Sequence, residues 1–106
     1  MKTPSPPTHL SRTTKKWWRE ITEEFDLEPH HLKVLQAAAE SWDRAQEARI
    51  LVDKEGLVVD DRFGQPKPHP GCAIERDSRG VFLRCLRELG LDVEPPRSLG
   101  RPPKGI

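Results

Sequence analysis

The sequence predicts a mainly α-helical protomer: three helices with a long central one, a short extended or hairpin-like segment before the last helix, and a flexible tail at each end. Three observations predict it. Apolar residues recur at steps of three and four through residues 14–25, 29–54 and 71–89, the spacing that places a stripe on one face of a helix. The 11 prolines gather at the two ends and in the middle of the chain, outside the interiors of those stretches. The paired β-branched residues Val58 and Val59 are followed at once by turn-forming residues, which leaves room for little more than a hairpin.

Residues 1–10, "MKTPSPPTHL", hold three prolines among polar residues and read as a flexible arm. The first helix should start near Ser11 or Thr14, either of which can cap free backbone N–H groups, and it carries Trp18, Ile21 and Phe25 as one stripe. Lys15, Lys16 and Arg19 fall near its start, where positive charge opposes the helix dipole by roughly a few tenths of a kcal/mol. Such a placement either answers an anionic partner or is simply tolerated.

"DLEPHH" ends that helix, because the residue before a proline is pushed out of the helical region, and Pro29 suits the first turn of the next. The second helix then runs to about Lys54, a rise of roughly 39 Å. Leu32, Leu35, Ala39 and Trp42 form one of its faces. Val34, Ala38, Ser41, Ala45, Ala48 and Val52 form an adjacent face of mostly small residues, which lets another helix approach closely. Two stripes on so short a chain favour self-association through Val34, Ala38, Ala45, Ala48 and Val52; the alternative is that the first and third helices of the same chain cover both.

Gly56 is expected to cap the long helix, and "LVVDDRFGQPK" to make a brief hairpin-like excursion turning at Asp60 and Asp61. The third helix is expected over Gly71–Leu89, with Ile74, Val81, Phe82, Cys85, Leu86 and Leu89 inward and Gly90 as its stop. Gly80 in its middle costs about 1 kcal/mol relative to alanine and marks a bend or a close contact. Residues 11–92 thus make the helical core and oligomerisation domain, and 93–106 a flexible basic tail.

A chain of 106 residues fits one small domain that buries only about 60 to 65% of its unfolded surface, so association with further copies is a natural supplement. No apolar run approaches the roughly 18 residues a membrane span needs, so no membrane partner is expected. The start of the chain lacks the apolar core of a secretory signal, and two isolated cysteines do not make a disulfide framework. A reducing, intracellular setting is expected.

The net charge of +1 conceals an uneven distribution. Residues 1–19 carry five cations and no acid, 20–55 carry ten acids against four cations, 56–94 carry seven against six, and 95–106 carry three cations and no acid. Basic ends on an acidic middle suit contact with a polyanion through the ends. The candidate DNA-binding residues are accordingly Arg12, Lys15, Lys16 and Arg19, interleaved with Trp17 and Trp18, and Arg97, Arg101 and Lys104 in the tail.

Motifs for nucleotide hydrolysis, serine or zinc chemistry and dinucleotide binding are missing from the sequence, and its carboxylates are scattered, so neither catalytic residues nor a cofactor are expected. His69 and Cys72 have the spacing of half a zinc site, but a structural site needs four ligands, and His30 and His31 are adjacent residues that diverge on a helix. No metal site is expected. His69 reads instead as a hydrogen-bonding loop residue, and Cys72 and Cys85 as small apolar fillers.

Taken together, the Pro-Pro segment followed by "HLS" and "WWREI", the helix "LQAAAESWDRAQEA" running into "EGLVVDDRFGQPKPHP", and the ending "LRELGLDVEPPR" resemble the small subunit of the tailed-bacteriophage terminase over Pro6–Arg97. The resemblance implies a non-enzymatic helical protein of the host cytoplasm that assembles as a ring homo-oligomer. It further implies that the protein holds viral double-stranded DNA when packaging begins and regulates the large terminase subunit, which carries the ATPase and nuclease. A different reading of the same helices is a small dimeric helix-turn-helix-like transcription regulator, although the second helix is long for a recognition helix.

Overall fold

The periodic stretches fold as α1 (Arg12–Glu24), α2 (Pro29–Glu55) and α3 (Pro70–Glu88), with strands β1 (Val58–Asp60) and β2 (Pro66–Pro68) between the last two helices. The structure is a computed structural model and describes residues 3–91. The three-helix reading with a short strand pair before the last helix therefore holds. Ser11 caps α1, its Oγ accepting from the Thr14 N–H at 3.2 Å. Pro29 takes the first position of α2, as its fixed φ favours, and Gly56 ends that helix at φ 98 with its N–H on the Val52 carbonyl at 2.7 Å.

Strands β1 and β2 pair antiparallel, Val58 opposite Pro68 and Asp60 opposite Pro66. Their turn spans Asp61–Gln65, slightly later than the sequence alone suggests. It is held by the Asp61 carboxylate, which accepts from the Phe63 and Gln65 N–H groups at 2.8 and 2.9 Å. Gly64 supplies the positive φ of 78 that the turn needs.

Long α2 is covered on two sides. On one side Leu35 and Ala39 pack with Leu10 and Trp18, and Trp17, Ile21, Leu27, Leu32 and Leu89 close around them. On the other, α3 runs back along α2, and Ala38, Ala45, Ala48 and Val52 are all buried within the single chain. Val34 is half-buried. The close helix approach that small residues permit is made by α3 of the same chain.

Charged pairs reinforce the α2–α3 seam. Arg49 reaches Glu75 at 3.8 Å, Glu75 also accepts from Arg79, and Trp42 lies 4.9 Å from Phe82 between ring centroids. Phe25 and Ile74, expected inward, are exposed instead, because Phe25 already lies beyond the last turn of α1 and Ile74 falls outside the seam. A Cβ at Gly80 would meet only Arg84 Nη1, at 3.8 Å, so no close approach requires glycine there.

Over the residues described, the N-terminal segment lies against α1 and α2. Leu10 is buried in the core, the Trp18 indole donates to the Pro4 carbonyl at 3.0 Å, and His9 donates to Glu40 at 2.8 Å. Proline-rich chain binds here because one buried indole N–H needs an acceptor and a Pro-rich strap offers free carbonyls. The expected tail over 93–106 lies outside the described residues.

Candidate nucleic-acid interface

The cations of α1 occupy one face because their numbers fall at helical spacing. Arg12, Lys15, Lys16 and Arg19 stand at i, i+3, i+4 and i+7, while Thr14, Trp18 and Thr22 take the neighbouring, buried side. Arg12, Lys16 and Arg19 are exposed, and Lys15 is half-buried. Lys16 pairs with Glu20 at 3.8 Å, both side chains largely exposed. Arg12, Lys15 and Arg19 pair with no acid among the described residues. The structure thus brings four of the seven candidate cations together; Arg97, Arg101 and Lys104 lie outside the described residues.

This placement works against the dipole of α1, and a residue on α2 offsets it. The Asp43 carboxylate accepts from the Ser11 N–H at 2.7 Å, the Ser11 hydroxyl at 2.8 Å and the Thr14 hydroxyl at 2.6 Å. A negative charge at a helix N-terminus is favoured by the free N–H groups there. Asp43 therefore supplies from inside the chain the anion that the helix start calls for, and the cations are left to face solvent. Nothing in local sequence announces it, since Asp43 lies 32 residues from Ser11 and its signal is only a carboxylate on the polar side of α2.

Glu40, one turn before Asp43, holds the strap. The Gln36 amide donates to it at 2.9 Å, and this bond, opposed by burial and assisted by the lesser effects of the His9 hydrogen bond and charge and of the Arg44 charge, holds the Glu40 carboxyl below its ordinary range.

His69 and Cys72 do not converge. His69, 5% exposed, caps α3: its Nδ1 accepts from the Gly71 N–H at 2.8 Å, which leaves the proton on Nε2 to donate to Glu55 at 2.7 Å. Its own N–H meets the Leu57 carbonyl at 2.8 Å, so one residue ties the end of α2, the hairpin and the start of α3. Both ring nitrogens are committed to the fold. Burial pushes the Cys85 thiol up, away from the nucleophilic thiolate. Among the described residues no group of three His, Cys, Asp or Glu side chains could hold a metal ion, and no helix is long and apolar enough to cross a membrane.

Beside the basic face opens a cleft of about 230 Å³ lined by Thr13, Thr14, Trp17, Trp42 and Phe82. Trp17 stands 5.8 Å from Phe82, so two tryptophans and a phenylalanine from three helices make an aromatic wall. Sequence alone leaves Trp17 open between core and surface; it belongs to this cleft edge. Trp18 is a core residue, as its stripe indicates.

No curated protein and no solved structure matches the chain. The family model for the phage terminase, small subunit, matches residues 14–104, which take in nearly all of α1 together with α2, the hairpin and α3. With its cationic helix face, its helical hairpin of α2 and α3 and that match over most of its length, the chain belongs to the phage terminase small-subunit family.

Proposed function

We propose that the protein is the non-enzymatic, DNA-holding and regulatory component of a phage genome-packaging motor, acting in the host cytoplasm. The observation that carries this reading is the face of α1: Arg12, Lys15, Lys16 and Arg19 turned outward together, with the helix start stabilised by Asp43 rather than by a phosphate. Cations so placed attract a polyanion and release counterions on contact. Arg97, Arg101 and Lys104 add charge from the tail, so that each copy touches a few phosphates and several copies act by multivalency. Residues 11–92 are the body that assembles and 93–106 the tail that reaches.

The ring needs a surface, and the small-residue face of α2 is covered by α3. Exposed apolar residues at the other end of the protomer support a different contact: Ile50 is 65% exposed, Leu57 69% and Phe63 73%. Exposed apolar side chains of that kind are what a head-to-tail contact between copies buries.

Mixing the protein with its large subunit and viral DNA, and following ATP hydrolysis, tests the role. The wild-type chain is expected to change the DNA-dependent rate, and Lys15→Glu with Lys16→Glu to leave the rate where the large subunit alone sets it. A wild-type chain without effect on the large subunit, or a charge-reversed one as effective as wild type, would contradict the reading.

A further inference from the structure

We infer that the aromatic cleft of Thr13, Trp17, Trp42 and Phe82 is a docking site for the chain's own proline-rich C-terminal segment, Glu94–Lys104. Three observations on the molecule support it. The first is chemical. Proline-rich segments take up an extended left-handed helix whose carbonyls are free, and they dock in grooves lined by aromatic rings that donate to those carbonyls. "EPPRSLGRPPK" has two Pro-Pro pairs, and the cleft offers two tryptophan rings and a phenylalanine ring.

The second is a precedent in the same fold. The N-terminal proline segment already lies against the neighbouring tryptophan, with the Trp18 N–H on the Pro4 carbonyl at 3.0 Å and Leu10 buried behind it. One helix, α1, thus presents successive indoles on neighbouring faces, and one of them holds proline-rich chain.

The third is reach and charge. Phe82 lies six residues before the end of α3, roughly 9 Å along the helix. The second Pro-Pro pair lies 11 and 12 residues beyond Leu91, a reach of about 35 Å when extended, which covers the way back to that point. On α1, Glu24 continues the row of Thr13, Trp17 and Glu20 and pairs with no cation among the described residues, so it offers a negative charge to Arg97 or Arg101.

The test uses the full chain labelled with 5-fluorotryptophan, without DNA, so that it stands or falls apart from the DNA-binding role. The three fluorine resonances are assigned by single Trp→Phe variants and compared between wild type and Pro95→Ala/Pro96→Ala/Pro102→Ala/Pro103→Ala, whose changes all lie beyond the helices. The Trp17 and Trp42 resonances are expected to move and that of Trp18 to stay. Three unmoved resonances, or movement of Trp18 alone, would overturn the inference. So would movement in Phe63→Ser but not in the tail variant, since the occupant would then be the hairpin of a second copy. Movement seen only on adding duplex DNA would also overturn it, and make the cleft a nucleic-acid contact.

Discussion

At Gly71 a hydrogen occupies the place where any other residue would press a methyl group on Val52. A Cβ built there meets Val52 Cγ2 at 2.8 Å and His69 Nδ1 at 3.1 Å, so the first turn of α3 sits on α2 only because the side chain is absent. Gly71→Ala is expected to cost about 1–3 kcal/mol, the usual range for overpacking a closed site, and Val52→Ala added to it to recover part of that cost. Urea unfolding of the two single variants and the double variant checks the coupling; strict additivity would contradict it. His69→Ala is expected to lose about 0.5–2 kcal/mol through the missing cap, and His69→Asn less, because the asparagine oxygen can still accept from the Gly71 N–H. The role of His69 was legible in the sequence from its position between two prolines ahead of a helix. Its partner Glu55 was not, because that hydrogen bond joins the ends of two elements whose approach only the fold determines.

Helix α1 depends on a single carboxylate of α2 more than on its own sequence. Asp43→Ala removes three hydrogen bonds and the charge at the helix start. Amide exchange in α1 is expected to rise about 10- to 100-fold, the equivalent of one or two charge-assisted bonds, with α3 protected as before. Equal loosening of α3 would show that the latch is not local. Glu40 gives a pH signature. Its folded-state carboxyl lies below the ordinary range, so its contribution is present at neutral pH and is lost as pH falls through that lowered value. Glu40→Gln is expected to flatten the acid limb of the stability profile, read from thermal midpoints between pH 3 and pH 6. An unchanged limb would sink the assignment. Element positions were legible because periodicity and proline placement are local signals. What covers each face was not: small residues on α2 announce a close helix neighbour, and only the return of α3 decides that the neighbour belongs to the same chain. The docked strap was hidden for a related reason, since three prolines among polar residues look mobile until Trp18 and Glu40 supply partners from beyond the segment.

For the whole molecule the two ends differ in character. The α1 end carries the outward cations and the cleft, and the hairpin end carries exposed Ile50, Leu57 and Phe63. If copies meet through the hairpin end, Ile50→Asp with Phe63→Ser is expected to lower the oligomer mass seen by native mass spectrometry while helix content stays the same; an unchanged ring would place the interface elsewhere. The most direct measurement concerns the basic face itself. Affinity for duplex DNA is followed by fluorescence anisotropy across a salt series for wild type and for Lys15→Glu with Lys16→Glu. Wild-type affinity is predicted to fall steeply with salt, and the variant to bind more weakly with a slope shallower by about 0.9 for each phosphate it no longer neutralises. An affinity and a salt slope identical to wild type would contradict the account.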